Sequence, residues 1–335
     1  MNPPTGDRDG PTLADVGEEG LLARLFPLLP DASSAVIGPG DDAAVVAAPD
    51  GLVVATTDVL VQDRDFRLDW SSGEDVGVKA AAQNLADVAA MGAVPTALLV
   101  SLVAPPDTPV SWALGLARGL ALGCEGTGAG VVGGDLSSGS QLVVCVTAFG
   151  DLQGREPVLR SGARVGDVVA VAGELGRSAA GLALLRAGRD DLDPALVTAH
   201  RRPSPPLAAG PAAARAGATA LLDVSDGLLR DLDRIAAASG VSVDLDGDEG
   251  PLAHRRQALE AVAEELGGGA SLAWEWVLTG GEDHALVACF PSGTDLPQGY
   301  EVIGTVLPRL VGRPLVEVDG NGRPEGNGGW DHFGG

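Results

Sequence analysis

Carboxylates follow glycines, small residues or the ends of apolar segments at several places along this chain. Hard divalent cations prefer such oxygen ligands, and small neighbouring residues allow a polyphosphate to approach the backbone. The pattern therefore indicates chemistry in which acidic side chains hold metal ions and the metal ions hold phosphate groups. The acidic motifs are Asp41-Asp42 in "GPGDD", Asp58 in "TTD", Asp87 in "NLAD", Asp135 in "GGD", Asp223 and Asp226 in "DVSD", and Glu282-Asp283 in "GGED".

The first of these motifs has a second interpretation, because residues 37–46, "IGPGDDAAVV", match the spacing of a dinucleotide-binding loop. Pro39 has no amide hydrogen to donate to a phosphate, and Asp41 and Asp42 would repel one. The following "AAVVAAPDG" predicts a strand, whereas a dinucleotide-binding loop opens a helix. A Rossmann dehydrogenase is therefore disfavoured. We expect part of a metal site here, with Asp42 as a ligand and Asp41 unassigned.

Two predicted helices carry further polar residues that suit such a site. On the helix predicted at 71–91, Asp87 interrupts a largely packed surface. The segment "DVSDGLLRDL" has an ordinary interpretation as a helix N-cap. It also crowds Asp223, Ser225 and Asp226 at one helix start, where anions are favoured. Ser225 is therefore a candidate contact for a phosphate oxygen, beside two candidate metal ligands.

The overall composition narrows the class of protein. The 335 residues are 45% hydrophobic and carry a formal net charge of −24, so a nucleic acid partner, which needs a basic surface, is not expected. The three cysteines are far apart and form no Cys-x-x-Cys pair, which predicts free thiols in a reducing cytoplasm. No apolar run approaches about 18 residues, so we expect no membrane partner.

The hydrophobic pattern predicts an α+β N-terminal domain at 17–152, after a disordered N-terminus at 1–16. Following a short helix, its order is β-β-α-β-α-β, which suggests a sheet covered on one face. Ser71 and Glu74 form a capping-box pattern at the start of the longest helix. The predicted elements are helices 17–29, 71–91 and 109–123 and strands 43–48, 52–58, 96–103 and 141–152.

Alternating strands and helices predict an α/β C-terminal domain at 153–335, which ends in a Gly-rich tail. The predicted strands are 167–172, 219–223, 241–245, 284–290 and 300–306, and the predicted helices are 175–187, 205–216, 226–239 and 254–266.

Taken in order, the motifs resemble those of thiamine-monophosphate kinase, a family in the ATP-binding superfamily that includes aminoimidazole-ribonucleotide synthetase. The resemblance runs from about residue 17 to Phe333, and the ordered combination is more specific than any single motif. The motifs are "GPGDDAAV", "TTDVLV", "KAAAQNLADVAAMGA", "GGDLSSG", "RSGARVGD", "RRPSPPL", "DVSDGLLRDL" and "LTGGEDHAL".

This resemblance implies transfer of the γ-phosphoryl group of ATP to thiamine phosphate, giving thiamine diphosphate, with several Mg²⁺ ions. It also implies a homodimer whose N-terminal domains pair through their sheets. The nucleophile is a phosphate oxygen that is already anionic near neutral pH, so we expect no general base. The residues that the resemblance assigns to Mg²⁺ are Asp42, Thr56, Thr57, Asp58, Asp87, Asp135, Asp223 and Asp226; those assigned to ATP are Gly134, Asp135, Arg160 and Ser225; and Glu282 resembles a substrate-binding acid.

Two positions near the expected substrate depart from the family pattern. The family usually has a substrate-binding histidine seven residues after the "TTD" aspartate, where this chain has Asp65. A carboxylate there attracts cationic thiamine but repels its phosphate. The family's substrate-stacking tryptophan aligns with Asn327, so Trp330 either replaces it or packs the tail. Asp65 and Trp330 complete the set of candidate substrate-binding residues.

Two other functions stay open from the sequence. One is a different ATP-dependent enzyme of the same superfamily, although a selenophosphate synthetase would need a reactive cysteine and a lysine near the N-terminus. The other is a non-catalytic nucleotide-binding paralogue, which Asp65 makes conceivable. Product formation from ATP and thiamine phosphate separates both from the kinase.

Overall fold

The helices and strands belong to two units in a computed structural model that describes residues 10–39, 43–309, 312–322 and 329. The first unit comprises Met1–Val88 with Val94–Gly154, and the second comprises Ala89–Ala93 with Arg155–Gly335. The domain limits given above, 17–152 and 153–335, stay a prediction about which segments fold independently. Each unit combines helices with a sheet, so the chain has a two-domain α+β fold.

The first unit is built on a four-stranded mixed sheet of order β3-β6-β4-β5, in which β4 and β5 are parallel and the other pairs antiparallel. A separate antiparallel pair, β1-β2, precedes it. The predicted six-element order is incomplete, because β1 and β5 were not expected. The elements are α1 (Leu13–Leu25), β1 (Ala35–Ile37), β2 (Val45–Val46), β3 (Val54–Val61), α2 (Gly73–Ala90), β4 (Val94–Ala104), α3 (Val110–Cys124), β5 (Gly130–Ser138) and β6 (Val143–Asp151).

Helices α2 and α3 pack against each other through glycines. A Cβ atom on Gly77 would overlap the carbonyl oxygen of Leu116, and one on Gly119 would overlap that of Glu74. Without side chains at these positions, the two backbones approach more closely than ridge-and-groove packing of larger residues allows. The pair therefore forms a thin, tightly packed layer.

The two faces of this sheet differ because side chains alternate along each strand. Thr56, Asp58 and Leu60 of β3 point towards α2, whereas Thr57 and Val59 point to the other side. We call that other side the open face. It carries Thr57 and Val59 of β3 and the residues in register with them on the neighbouring strands, which are Thr147, Cys145, Leu99, Ser101, Gly133 and Asp135.

A six-stranded sheet of order β12-β9-β11-β7-β10-β8 forms the centre of the second unit. Only β12 and β9 are parallel, and the other pairs are antiparallel. The prediction of an α/β domain is therefore wrong, and the unit is α+β with a mixed sheet. Its elements are β7 (Val168–Ala172), α4 (Arg177–Ala187), α5 (Pro194–Arg201), α6 (Ala209–Arg215), β8 (Ala220–Val224), α7 (Leu228–Ser239), β9 (Val241–Leu245), α8 (Gly250–Glu265), α9 (Gly269–Thr279), β10 (Ala285–Phe290), β11 (Tyr300–Pro308) and β12 (Val316–Val318).

The core beneath this sheet is made mostly of alanine, valine and leucine. Phe290 and Tyr300 add an edge-to-face ring pair with centroids 5.4 Å apart. Strands β8 and β10 are buried along their whole length, which explains their continuous apolar sequences. In the part of the chain that the structure describes, no helix combines the length and hydropathy needed to cross a membrane.

Candidate functional site

Strand β3 and helix α2 bring three of the predicted metal ligands together. The hydroxyl of Thr56 donates to the carboxylate of Asp87 at 2.7 Å, and the amide of Asp58 donates to Asn84 Oδ1 at 3.1 Å. Residues two apart on a strand share a face, and residues three apart on a helix are neighbours, so this arrangement follows from local geometry. We call Thr56, Asp58, Asn84 and Asp87 the β3–α2 cluster. Asn84 begins the "NLAD" motif, but the sequence analysis assigned no site role to it.

Thr57 lies on the opposite side of the same strand. Its hydroxyl donates to the carbonyl oxygen of Val146 at 3.0 Å and accepts from Thr147 Oγ1 at 3.0 Å. The structure therefore separates Thr57 from Thr56 and places it on the open face.

Gly134 and Asp135 are on β5, at the far edge of the sheet. A Cβ atom on Gly134 would overlap the carbonyl oxygen of Val100, so the close approach of β4 already requires glycine here. The carboxylate of Asp135 accepts from Ser137 Oγ at 2.8 Å and is exposed. Asp135 lies on the open face beside Ser101, its register partner on β4.

Asp58 and Asp135 are on the two edge strands of the four-stranded sheet. Three strand spacings separate them, which is about 14 Å. A metal ion within about 2.6 Å of its oxygen ligands cannot contact both side chains of one chain. Consistently, no group of three histidine, cysteine, aspartate or glutamate side chains has the geometry of a metal site among the described residues.

Asp65 lies in the turn after β3. Its carboxylate accepts from the amide of Val61 at 2.8 Å, and its carbonyl oxygen accepts from Lys79 Nζ at 3.3 Å. Lys79 is only 3% exposed, so the helix α2 is tied to this turn by a buried ammonium group. The residue at the predicted substrate position is therefore also a structural part of its own turn.

In the second unit, the end of β8 and the start of α7 hold the motif "DVSD". Asp223 is buried, and its Oδ2 lies 3.2 Å from Nδ1 of His284, which is also buried. Ser225 and Asp226 follow in the turn and are partly exposed. The structure thus brings the three predicted residues to one helix start, with His284 as a partner that the sequence analysis did not identify.

Asp226 has its own counter-ion. The guanidinium of Arg234, on α7, pairs with Asp226 and with buried Asp231. Burial raises the pKa of Asp231 to about 7, against the opposing effects of the Asp226 amide and the Arg234 charge. The carboxylate of Asp231 accepts from the amides of Asp226 and Gly227 at 2.9 and 3.1 Å and so fixes the turn. Asp231 and Arg234 were also not predicted.

Glu282 is in the loop between α9 and β10, which returns to the same turn. Its amide donates to the carbonyl oxygen of Ser225 at 2.9 Å, and the amide of His284 donates to that of Val224 at 3.1 Å. A Cβ atom on Gly281 would overlap the Ser225 carbonyl oxygen. Gly281 therefore allows this loop to contact the turn after β8. As a result, Glu282 lies beside Ser225.

Arg160 is in a short 3₁₀ turn, Arg160–Gly162, where its carbonyl oxygen accepts from Ser239 Oγ at 2.9 Å. Ser239 ends α7, and a helix of 12 residues is about 18 Å long. The backbone of Arg160 therefore lies at the opposite end of α7 from Ser225. The two remaining predicted residues, Asp42 and Trp330, lie outside the described residues.

A cavity of about 1000 Å³ adjoins Gly134 and Asp135 in the first unit. Leu99 and Phe149 contribute to its mainly apolar lining, together with residues of α1 and α3. Its volume is at the upper end of the range for small-molecule sites.

Comparison with known proteins agrees with this architecture. The family model "AIR synthase related protein, N-terminal domain" matches residues 40–152, and "AIR synthase related protein, C-terminal domain" matches residues 164–290. The two matches, one in each unit, define the chain as an AIR synthase-related protein with both domains of that class.

Curated relatives and solved structures give a narrower result. The chain is 52% identical to the thiamine-monophosphate kinase of Mycobacterium tuberculosis, covering 97% of this chain and 94% of the relative. It is 42% identical to that of Corynebacterium glutamicum, covering 98% and 97%. The solved structure of AaThiL complexed with AMPPCP and TMP superposes with a TM-score of 0.74 at 31% identity, covering 97% and 100%. The chain belongs to the thiamine-monophosphate kinase family.

Proposed function

We propose that this protein transfers the terminal phosphoryl group of ATP directly to thiamine phosphate, giving thiamine diphosphate. The β3–α2 cluster supports the proposal, because the Thr56 hydroxyl contacts the Asp87 carboxylate and the backbone amide of Asp58 contacts Asn84 on the same helix. The relative of similar fold that was solved with AMPPCP and TMP supports the choice of the two substrates.

Mg²⁺ fits the residues that are present. The β3–α2 cluster and the Asp223–Asp226 turn offer carboxylate, hydroxyl and amide oxygens, which are the donors that this hard cation accepts. When bound, Mg²⁺ would offset the negative charge of the phosphate groups and so reduce their mutual repulsion. Asp58 and Asp87 would hold it in the first unit, and Asp223 and Asp226 in the second.

The protein's own groups then act by binding and orientation. Ser225, at the start of α7, is placed to donate its hydroxyl to an ATP phosphate oxygen, where the helix end favours negative charge. Glu282 is the acid that would attract the cationic thiamine moiety. No side chain needs to remove a proton, since the attacking phosphate oxygen is already anionic.

A homodimer would bring a second Asp135 towards strand β3, although the Asp58 side chain faces α2 and Asp135 lies on the open face. If a second copy packs on the open face with its edge strands beside those of the first, Asp135 of the partner subunit comes to the β3 edge. Most of the large apolar side chains that the described residues expose belong to the first unit, which supports an interface there. These side chains are Phe26, Val36, Ile37, Val45, Leu52, Val53, Val59, Leu68 and Leu122.

A cytoplasmic location is part of the proposal. Cys124, Cys145 and Cys289 are all free thiols, which suits a reducing compartment.

A product assay tests the proposed reaction. Purified protein with ATP, Mg²⁺ and thiamine phosphate should form thiamine diphosphate, and Asp58→Ala and Asp87→Ala should each lower turnover by about 100-fold or more because a metal ligand is lost. Asp15→Ala, at the start of α1, is the matched control and should retain wild-type turnover. ATP hydrolysis without thiamine diphosphate, or full activity in both variants, would reject the proposal.

A further inference from the structure

The backbone of Glu282 is held in an unusual conformation. Its φ is +66°, in the left-handed region that residues with a Cβ atom rarely adopt, and that of the next-but-one residue, His284, is +53°. The hydrogen bonds from their amides to Ser225 and Val224 keep this loop in place. A strained, pinned backbone fixes the point from which the Glu282 side chain starts, but the side chain still has several rotatable bonds.

A histidine from a different helix contacts the end of that side chain. Nδ1 of His200, on α5, lies 3.3 Å from Oε2 of Glu282. The His200 side chain is 9% exposed and that of Glu282 is 36% exposed, so the contact runs from the interior to the surface. A carboxylate only accepts hydrogen bonds, and therefore Nδ1 must carry the hydrogen for this contact to be attractive.

The same nitrogen also lies 3.0 Å from the hydroxyl oxygen of Ser178, which is buried at the start of α4. Ser178 is fixed in turn, because its amide donates to the carboxylate of Asp283 at 2.8 Å. The amide of Gly176 donates to the other oxygen of Asp283 at 2.6 Å. The contacts form a closed ring from Glu282 through His200 and Ser178 to Asp283, which is the next residue in the chain.

We propose that His200 is a positioning residue for substrate binding. Its Nδ1–H is shared between the Ser178 hydroxyl oxygen and one oxygen of Glu282, so the carboxylate faces the cationic part of thiamine phosphate in one orientation. The inference rests on the proposed function and on the role proposed for Glu282. The local sequence "TAHRRPSP" does not indicate this role for His200, because the contact joins residues that are far apart in the chain.

Steady-state kinetics of His200→Ala test this role. We expect the KM for thiamine phosphate to rise about tenfold, while kcat and the KM for ATP change less than about twofold, because the lost contact acts on one substrate only. His200→Asn should recover most of the affinity, since its amide nitrogen can reach the position of Nδ1. Exposed His254→Ala, on α8, is the matched control and should behave as wild type.

A double-mutant cycle of His200→Ala with Glu282→Gln tests whether His200 acts through Glu282. If His200 acts through Glu282, the double variant should raise the KM for thiamine phosphate no further than Glu282→Gln alone. Calorimetric titration with thiamine phosphate should show the same order of affinities without turnover, and thermal unfolding of each variant should stay near that of wild type.

The results that would overturn the inference differ from those against the proposed function. Wild-type protein that forms no thiamine diphosphate rejects the function and the inference with it. If Glu282→Gln raises the KM for thiamine phosphate strongly and His200→Ala does not, the role of His200 is rejected and that of Glu282 remains. Additive effects of the two substitutions on this KM would also reject the role of His200. A normal KM in Glu282→Gln removes the role of both residues. If His200→Ala raises the KM for both substrates equally and lowers the unfolding temperature, His200 has only a structural role. The same conclusion follows if His200→Asn does not restore the affinity for thiamine phosphate.

Discussion

Asp65 combines a structural contact with an unfavourable charge for the expected substrate. Its carboxylate accepts from the Val61 amide, so replacing it with histidine removes that acceptor as well as the charge. Asp65→Asn keeps an acceptor oxygen and removes only the charge. Asparagine is therefore the sharper substitution for asking whether Asp65 repels the phosphate of thiamine phosphate.

We expect Asp65→Asn to lower the KM for thiamine phosphate by about threefold to tenfold, because removing one partly exposed like charge relieves about 1 kcal/mol. Asp65→His should lower it further if the ring contacts the substrate, despite the loss of the Val61 contact. Asp151→Asn, which also removes one acidic charge, is the control. An unchanged or raised KM in Asp65→Asn would show that the charge does not oppose binding.

Asp283 predicts a pH-dependent stability. Burial raises its pKa to about 7, although the amides of Ser178 and Gly176 lower it; the charge of His284 also lowers it and that of Glu174 raises it. A folded-state pKa above the unfolded value means that the folded protein binds the proton more tightly. The contribution of Asp283 to stability is therefore fully present below about pH 4 and is lost as the pH rises through about 7.

Asp283→Asn should flatten this part of the pH profile. Urea unfolding at several pH values between 4 and 8 measures it: the difference in unfolding free energy between wild type and variant should shift by up to a few kcal/mol in favour of the variant as the pH rises. The control is Asp190→Asn, at an exposed aspartate. A constant difference between wild type and Asp283→Asn across this range would mean that Asp283 has an ordinary pKa.

For single residues, the sequence was sufficient to identify the acidic side chains of the candidate site. It was not sufficient to identify the side chains that contact them. A carboxylate after a glycine, a small residue or an apolar segment is a local pattern, and it identified Asp58, Asp223 and Glu282. The contacts of His200 and His284 depend on how distant segments pack, so no local pattern indicates them. Strand alternation puts Thr56 and Asp58 on one face and Thr57 on the other, whereas the resemblance assigned all three to Mg²⁺.

Among the elements, the contact between α2 and α3 leaves no room for added side-chain atoms. A methyl group on Gly77 would meet the backbone of Leu116, which cannot move like a side chain. We expect Gly77→Ala to lower the unfolding free energy by about 1–3 kcal/mol or more, because the helices must separate. Denaturant unfolding followed by circular dichroism measures the change.

Gly20→Ala is the matched control, since a Cβ atom on Gly20 in α1 would meet only Val16 Cβ at 3.5 Å. Alanine is the better helix former, so this variant should be neutral or stabilising by up to about 1 kcal/mol. Equal effects of the two substitutions would show that helix propensity, and not the close contact of α2 with α3, governs stability here.

Long periodic elements were predictable and short or Gly-rich ones were not. The apolar pattern located α2, β4 and β6, but β5 was missed because its sequence "GVVGGDLSS" has the glycines of a loop. The capping box predicted for Ser71 and Glu74 is formed one residue later, by Ser72 and Asp75. Strand patterns also do not specify partners, which is why an α/β domain was expected where the structure has a mixed, mostly antiparallel sheet.

For the whole molecule, the open face provides a test of the proposed dimer. Val59, on the edge strand β3, is 47% exposed on this face. If two copies pair there, Val59→Arg would bury a charge on each side, which costs several kcal/mol without a partner. We expect a monomer by light scattering coupled to size exclusion, and at least a tenfold loss of product formation because Asp135 of the partner subunit is removed.

Val165→Arg serves as the control, because Val165 is an equally apolar, exposed side chain in the second unit. It should leave mass and activity unchanged. A fully active wild-type monomer, or a Val59→Arg protein that remains dimeric, would argue against pairing through the open face.

The buried ammonium group of Lys79 belongs to the sole lysine of the chain. Amine-directed reagents therefore find no accessible lysine side chain while α2 stays tied to the turn at Asp65. The rate at which such a reagent modifies Lys79 would report how often this turn lifts away from the helix. Slower modification in the presence of thiamine phosphate would show that the ligand keeps the turn closed, without any measurement of turnover.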